Sequence, residues 1–265
     1  DSSRVYGNGE AMDKVVPTDA PSLARVLKAR DGVWLGNIGK LVNEVVTALR
    51  PECAFEIVLV DDGSDDGTGD EFLQRCTELG SAARLIRHEK SVGQSTALMS
   101  AARQAQGRYL ITIDGDGQND PADMPALLRS ARETEAQGEH FCIAGYRKNR
   151  QDTEWKKFQS RIANAVRQKL LSDQVPDTGC GLKLIERAAF LRLPYFDHMH
   201  RFIPALIQRH NGRMIVHPVN HRPRTAGVSK YGNLDRALVG ILDLIGVWWL
   251  IKRTRLNTQA QELEG

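Results

Sequence analysis

The chain has 265 residues, of which 41% are hydrophobic and 26% are charged, as in ordinary globular proteins that bury a substantial core. The formal net charge of +3 is too small to indicate a nucleic-acid partner, and we expect none. The 4 cysteines are widely separated and form no C-x-x-C pair, which argues against a zinc site and gives no sign of a disulfide framework.

Hydrophobic periodicity predicts strands and helices in alternation along most of the chain. Residues 1–21 have neither an apolar period nor a signal-peptide pattern, so we expect a loose leader and no export. The predicted strands cover residues 23–27, 57–60, 84–87, 109–113, 141–144 and 213–216. The predicted helices cover residues 37–50, 70–79, 94–106, 122–137, 154–171 and 200–210, and loops are expected at 177–181 and 221–232. Short connections between alternating elements are typical of a doubly wound, mostly parallel α/β sheet with helices on both faces.

Two of the predicted strands run directly into acidic loops. The strand at 57–60 is followed by Asp61-Asp62-Gly63-Ser64, and the strand at 109–113 is followed by Asp114-Gly115-Asp116-Gly117-Gln118. Ligands of open α/β sheets bind at the carboxyl ends of the strands. Carboxylates gathered at that edge would repel one another, and the Asp-x-Asp spacing offers hard oxygen ligands to Mg²⁺ or Mn²⁺. With basic residues such as Arg147, Arg222 and Lys230 to counter phosphates, the sequence predicts a nucleoside diphosphate site.

A purely structural interpretation of these loops remains open, because Asp and Gly are the default residues of turns. The occurrence of both loops at the same topological place favours the binding site. No G-x-G-x-x-G follows the first predicted strand, which argues against a dinucleotide oxidoreductase.

The C-terminal part differs in character, since residues 238–251 are apolar apart from Asp243 and are followed by a basic cluster. A spanning helix needs about 20 apolar residues, and this run is shorter and interrupted. Trp248 and Trp249 beside cations suit the headgroup boundary of a membrane. The alternative is a helix that docks on the core or on another subunit.

We therefore expect an amphipathic helix over 233–256 that contacts a membrane surface through residues 238–255. A polar tail is expected over 257–265. The oligomeric state stays open, with a homo-oligomer among the alternatives.

The two acidic loops, in this order, resemble those of family 2 glycosyltransferases with the GT-A fold. The most similar subgroup is the dolichol-phosphate mannosyltransferase-like polyprenyl-phosphate glycosyltransferases, with further matching segments at 145–147, 177–183, 199–202 and 224–231. The resemblance covers about residues 22–251 and implies a catalytic domain over 22–232. It also implies a metal-dependent, inverting enzyme at the cytoplasmic side of the membrane, peripheral or anchored at the interface. Such an enzyme moves a sugar from a UDP- or GDP-sugar to a polyprenyl phosphate.

The resemblance alone assigns roles to individual residues. Nucleotide binding falls to Asp31, Asp61, Asp62, Gly63, Gly93 and Asp114. Binding of Mg²⁺ or Mn²⁺ falls to Asp114, Asp116 and Gln118. Contacts with donor or acceptor phosphates fall to Arg147, His200, Arg201, Arg222, Arg224, Ser229 and Lys230. Asp116, Asp177 and Arg147 are the expected catalytic residues.

Two alternatives to sugar transfer onto a lipid phosphate remain, namely transfer to a saccharide hydroxyl and nucleotide binding without transfer. A lipid monophosphate is already a dianion at neutral pH and needs no general base. A saccharide hydroxyl would need one, and Asp177 is the leading candidate. The third interpretation is a nucleotide-binding module without activity, because Asp31-Gly32 stands where the family carries an Asn-Glu pair.

Overall fold

The structure is a computed structural model that describes residues 23–29, 37–137, 140–147, 154–173, 175–223 and 233–254. The predicted leader, the predicted tail, Asp31 and the segment with Arg224, Ser229 and Lys230 lie outside these ranges. The strands are β1 (Leu23–Ala29), β2 (Phe55–Asp61), β3 (Ala82–Arg87), β4 (Tyr109–Asp114), β5 (Phe141–Arg147), β6 (Lys183–Glu186) and β7 (Arg213–Val219). The α-helices of the described ranges are α1 (Asn37–Leu49), α2 (Thr68–Glu78), α3 (Gln94–Gln104), α4 (Met124–Glu135), α5 (Glu154–Leu171), α6 (Arg187–Leu191), α7 (Ile203–Arg209) and α8 (Asn233–Arg253).

The seven strands of the described residues form one sheet in the order β3-β2-β1-β4-β6-β5-β7. Four of the strands predicted from periodicity, β1 to β4, pair in parallel with one another, and β5 pairs in parallel with β7. β6 is antiparallel to both β4 and β5, between which it lies. The sheet is therefore mostly parallel, as expected, with one reversed strand that the sequence analysis missed.

The helix predicted at 200–210 is shorter than expected. A 3₁₀ turn covers Met199–Arg201, and α7 begins only at Ile203. Pro204 lies in the first turn of α7, where a proline without an N–H group is tolerated. The turn and the helix are therefore separate elements, and residues Met199–Arg201 do not continue the helix geometry of α7.

The two faces of the sheet carry separate hydrophobic cores. Alternation along β2 sends Ile57 and Leu59 to one face, where they pack with α1, α2 and α4. Val58 and Val60 point to the other face and pack with α3, α6 and α7. All four side chains are fully buried. A continuous β-branched and aliphatic run is what a parallel strand needs when helices cover both of its faces.

The predicted C-terminal helix is present as α8, and it is apolar on two faces. Val247 is 2% exposed and joins the core that contains α3 and α7, with Leu244 and Leu250 partly buried beside it. On the other side, the outward face of α8 exposes large apolar side chains: Ile241, Leu242, Ile245, Trp248 and Trp249. Docking on the core is thus observed, and membrane contact stays a prediction. Among the described residues, no helix has both the length and the apolar content that a membrane crossing requires.

Candidate active site

The two acidic loops lie at the same edge of the sheet. β1 separates β2 from β4, and its register pairs Ala29 with Asp61 and Lys28 with Asp114. Strands that share one neighbour lie about 10 Å apart. The expectation that both loops meet at the carboxyl ends of parallel strands is therefore confirmed.

The first acidic loop is held almost entirely by contacts within the protein. Asp61 is 1% exposed; its Oδ1 accepts a hydrogen bond from the Ser64 amide at 2.9 Å, and its Oδ2 accepts one from Arg87 Nε at 3.2 Å. Gly63 has φ +82, and a Cβ there would lie 2.8 Å from the Ser91 nitrogen. Glycine is therefore required at this position by both the backbone conformation and the close packing.

Asp62 joins this loop to the start of α3. It is 0% exposed and accepts hydrogen bonds from Ser91 Oγ at 3.0 Å, the Val92 amide at 3.0 Å and the Gly93 amide at 3.1 Å. His88 Nδ1 lies 2.8 Å from the same carboxylate. Asp62 thus orders residues 91–93, including Gly93 with its φ of +93. The predicted contact of Asp62 with the nucleoside stays a prediction.

The second acidic loop is half-buried and borders a cavity. Asp114 Oδ1 accepts a hydrogen bond from Gln94 Nε2 at 2.9 Å. Asp116 Oδ1 accepts one from the Gln118 amide at 3.1 Å, which folds the loop back on itself. The three predicted metal ligands therefore lie at the end of β4 and on the turn that follows it, and their joint binding of a metal stays a prediction.

The donor set of this loop fits a divalent ion. The ligands from the protein would be the carboxylates of Asp114 and Asp116 and the side-chain amide oxygen of Gln118. In the described ranges, no three His, Cys, Asp or Glu side chains gather around a common point. Mg²⁺ binds hard oxygen atoms and is typically held by one or two carboxylates, with water and substrate phosphates in the other positions. This donor set leaves room for such ligands.

Beside Gly179, which lines the cavity, Arg147 and Asp177 form a bidentate ion pair. Arg147 Nε lies 2.6 Å from Asp177 Oδ2, and Arg147 Nη2 lies 2.8 Å from Asp177 Oδ1. Both side chains are largely buried, with exposed fractions of 14% and 10%. Burial would lower the pKa of the Arg147 guanidinium, but the hydrogen bonds and charge of Asp177 raise it overall. The structure therefore pairs two of the predicted catalytic residues with each other.

Two further buried cations, which the sequence analysis missed, hold the loop that follows Asp177. Arg167 on α5 is 7% exposed; it pairs with Asp173 at 2.8 Å and donates to Thr178 Oγ1 at 2.7 Å. Lys183 at the start of β6 is 4% exposed; it donates to the Thr178 carbonyl at 3.2 Å and contacts the Cys180 carbonyl. The sequence signal that could have identified Lys183 is its position as the first residue of a strand whose other residues are mostly apolar.

A cavity of about 170 Å³ opens between these loops. Its lining includes Asp114, Gly179 and Lys183, together with the predicted phosphate contacts His200 and Arg201. These residues come from the second acidic loop, the loop after Asp177 and the 3₁₀ turn. The cavity therefore combines the carboxylate of Asp114 with basic side chains, which is chemistry that suits a divalent ion and a phosphate.

The wall formed by the 3₁₀ turn is tied to α3. His200 Nδ1 lies 3.0 Å from Ser95 Oγ, and the His200 amide donates to the same oxygen at 3.3 Å. Ser95 is completely buried. His200 is thus fixed beside Gln94, the residue that binds Asp114.

Arg222 is placed away from the cavity. Its guanidinium donates to Glu44 on α1 at 2.7 Å and to Asp120 at 2.7 Å. Its amide donates to the Gln118 carbonyl at 2.9 Å. These contacts anchor the segment after β7 on the second acidic loop, and the predicted contact of Arg222 with a phosphate stays a prediction.

Sequence comparisons agree with this geometry. Residues 35–193 match the family described as glycosyl transferase family 2. Dodecaprenyl-phosphate galacturonate synthase of Rhizobium johnstonii (strain DSM 114642 / LMG 32736 / 3841) is 33% identical over 221 residues, which are 82% of this chain and 64% of the relative. Undecaprenyl-phosphate 4-deoxy-4-formamido-L-arabinose transferase of Pseudomonas aeruginosa (strain LESB58) is 34% identical over 193 residues, 72% of this chain and 55% of the relative. The chain thus spans between about half and two thirds of the length of these relatives.

Solved structures with the same fold include two sugar phosphoglycerate synthases. Glucosyl-3-phosphoglycerate synthase from Mycobacterium tuberculosis, in complex with Mn²⁺, UDP and phosphoglyceric acid, has a TM-score of 0.61 at 15% identity and covers 90% of this chain and 80% of that one. Mannosyl-3-phosphoglycerate synthase from Rubrobacter xylanophilus has a TM-score of 0.65 at 14% identity and covers 91% of this chain and 78% of that one. At these identities the likeness establishes the fold alone. With its GT-A fold and the match over residues 35–193, the chain belongs to glycosyltransferase family 2.

Proposed function

We propose that this chain transfers a sugar from a UDP- or GDP-sugar to a polyprenyl phosphate, with inversion at the anomeric carbon. The observation that carries the proposal is the cavity that Asp114 of the second acidic loop lines together with Lys183, His200 and Arg201. The curated relatives support the acceptor class, because both are named for sugar transfer involving a polyprenyl phosphate.

The donor diphosphate would bind at the second acidic loop. Asp114, Asp116 and Gln118 would hold Mg²⁺ or Mn²⁺, which when bound neutralises the departing nucleoside diphosphate. Gln94 keeps the Asp114 carboxylate in place through its 2.9 Å hydrogen bond. The nucleoside would lie toward the first loop, along Asp61, Gly63 and Gly93, with Asp31 and Asp62 supporting it.

The acceptor phosphate would bind on the cationic side. Arg147, His200 and Arg201 are the described side chains assigned to it, and Arg222, Arg224, Ser229 and Lys230 are assigned to the donor or acceptor phosphates. A phosphate monoester has a second pKa near 6 and is mostly a dianion at pH 7, so its oxygen attacks without prior deprotonation. The tasks of the protein are then to neutralise two phosphate groups and to align the attacking oxygen with the anomeric carbon.

A saccharide hydroxyl is the alternative acceptor, and the ion pair of Asp177 weighs against it. A hydroxyl needs a general base, and both oxygens of Asp177 already accept hydrogen bonds from Arg147. To take up a proton, Asp177 would have to give up one of these charge-assisted bonds. The same pair serves a phosphate acceptor without rearrangement, because the guanidinium keeps further N–H groups for an anion.

The outward face of α8 supports binding at the membrane surface. Ile241, Leu242, Ile245 and Trp249 are between 53% and 69% exposed, and Lys252 and Arg253 end the helix. Indole rings and cations are both favourable at the headgroup boundary, and anionic lipids attract the basic end. This face supports peripheral binding at a membrane surface, where a lipid phosphate would be presented, and the family resemblance implies the cytoplasmic side. A dimer formed through the same face is the competing arrangement.

A transfer assay tests the proposal. The purified protein is incubated with a short polyprenyl phosphate and labelled UDP- and GDP-sugars, with Mn²⁺, with Mg²⁺ or with a chelator. We expect a lipid-soluble labelled product from one donor class, and we expect the chelator to abolish it. Transfer to a free saccharide, with none to the lipid, would favour the alternative acceptor. Metal-dependent nucleotide binding without turnover would indicate a module that has lost activity.

A further inference from the structure

The one acidic residue in the apolar part of α8 faces the protein. Asp243 is the only charged residue between 238 and 251, and its side chain is 18% exposed. Its Oδ2 lies 3.1 Å from Nδ1 of His198. A carboxylate in an apolar helix costs desolvation energy unless a partner compensates it. An apolar residue would serve both docking and membrane binding better, so the acid has another role.

His198 is held in an unusual backbone conformation. Its φ is +63, in the left-handed region that residues other than glycine rarely adopt. It directly precedes the 3₁₀ turn Met199–Arg201, whose first residue is 1% exposed in the core. Strained residues of this kind persist only where surrounding contacts fix them, and they cluster at functional sites. The contact with Asp243 is one of those that fix His198.

From His198 a short series of contacts leads to the second acidic loop. His200, two residues on, lies against Ser95 Oγ at 3.0 Å. The residue before Ser95 is Gln94, which donates to Asp114 at 2.9 Å. The 3₁₀ turn therefore lies between α8 on one side and the first turn of α3 on the other.

We propose that the Asp243–His198 contact is a positioning contact that fixes the cavity wall relative to α8. This inference rests on the proposed function in so far as α8 lies on a membrane and the cavity binds substrates. Apolar packing of Val247 and Leu244 holds α8 to the core, and the contact with His198 adds a directional constraint to that packing. With the contact in place, the wall that carries His200 and Arg201 keeps one position relative to the surface from which the lipid phosphate arrives.

The decisive variant is Asp243→Leu, because it makes α8 uniformly apolar. If Asp243 were only an interruption of the apolar helix, this variant would bind liposomes at least as well as wild type and would transfer sugar at the same rate. We expect liposome binding to be retained while kcat for a polyprenyl phosphate falls about tenfold, the effect of losing one hydrogen bond to a charged group. Asp243→Asn keeps an oxygen that accepts from His198, and we expect it to rescue most of that rate.

His198→Gly tests the other side of the contact. Glycine adopts the left-handed conformation without steric cost and has no side chain that could contact Asp243. We expect the same loss as for Asp243→Leu, and a double variant that is no worse than either single one. Additive losses would overturn the inference. Glu78→Gln is the matched control, because it breaks the exposed 2.6 Å pair with Arg75 on α2, far along the chain from the 3₁₀ turn.

Amide hydrogen exchange separates this inference from the proposed function. In Asp243→Leu we expect exchange to be about threefold faster over residues 94–104, because the 3₁₀ turn then packs less firmly against α3. This readout does not depend on transfer. If wild type transfers no sugar but exchange over α3 rises in the variant, the proposed function fails and the positioning contact stands. Unchanged exchange together with wild-type kinetics would overturn the inference, as would loss of liposome binding and activity in equal measure.

Discussion

Gly181 lies so close to the carboxylate of Asp114 that no side chain fits between them. A Cβ built on Gly181 would overlap Asp114 Oδ2 and would lie 3.0 Å from Oδ1. A second neighbour of that carboxylate is Gln94, at 2.9 Å. The loop after Asp177 and the first turn of α3 thus both constrain where this predicted metal ligand points.

Gly181→Ala is therefore expected to displace the Asp114 carboxylate while leaving the fold intact. Affinity for a Mn²⁺-bound nucleoside diphosphate, measured by calorimetry, should fall about tenfold or more, as for loss of one charge-assisted contact. Gly240→Ala is the control, because nothing lies within 4 Å of a Cβ at that position. That substitution should leave the affinity unchanged and raise helix stability by about 0.5–1 kcal/mol. Equal affinity in the two variants would contradict the role given to Gly181.

Asp116→Asn tests the metal site directly. Asparagine keeps the shape of the side chain and an oxygen that can accept the hydrogen bond from the Gln118 backbone N–H, which is 3.1 Å from Asp116 Oδ1 in the wild type. It removes the charge that binds a divalent ion. We expect transfer to fall at least a hundredfold with an unchanged melting temperature. Excess Mn²⁺ should restore part of the activity if the ion still binds weakly. Full activity in a metal-free buffer would remove Asp116 from the metal site.

The Arg147–Asp177 pair is expected to behave as a unit. Arg147→Met or Asp177→Leu alone leaves a largely buried charge without its partner, which typically costs about 3–5 kcal/mol in the free energy of unfolding. The double variant should be less destabilised than the sum of the two, as urea denaturation would show. Strict additivity would mean that the two side chains do not interact in solution. All three variants should lack transfer activity.

The exposed apolar face of α8 should be needed for lipid binding. Replacing Trp248 and Trp249 by alanine removes two indole rings that are 38% and 56% exposed. We expect sedimentation with anionic liposomes to weaken about tenfold or more, with the fold unchanged. Leu73→Ala, at a 39% exposed leucine on α2, is the matched control. If the tryptophan variant binds liposomes normally but changes oligomeric state, the face is a subunit interface.

His210 should make stability depend on pH. Burial lowers its pKa from the ordinary value of 6.5, and the nearby Arg209, Arg192 and His140 lower it further. The unfolded chain therefore binds a proton more readily than the folded one, so the free energy of unfolding falls as pH drops below about 6.5. His210→Asn should flatten that decline, measured by urea denaturation between pH 7.5 and pH 5. An equally steep decline in the variant would assign the effect to another group.

The sequence by itself determined the main elements and the chemistry of the acidic loops. The strands at 57–60 and 109–113 are apolar runs that end at carboxylates and glycines, and both features are local. Because carboxyl ends of parallel strands share one edge, the meeting of Asp61 and Asp114 at that edge also followed. The bounds of α8 were close to those expected, since hydrophobic periodicity is likewise a local signal.

Only the tertiary structure decided what these side chains contact. β6 has 4 residues and exists because β4 and β5 pair with it on both sides, so no local period predicts it. Asp62 and Arg222 were assigned to ligands by their place in a motif, yet one is enclosed by residues 88–93 and the other is held by Glu44 and Asp120. Periodicity reports which face of an element is buried. The partner of a polar group is set by which distant segments fold against it, and that is decided by packing of the whole chain.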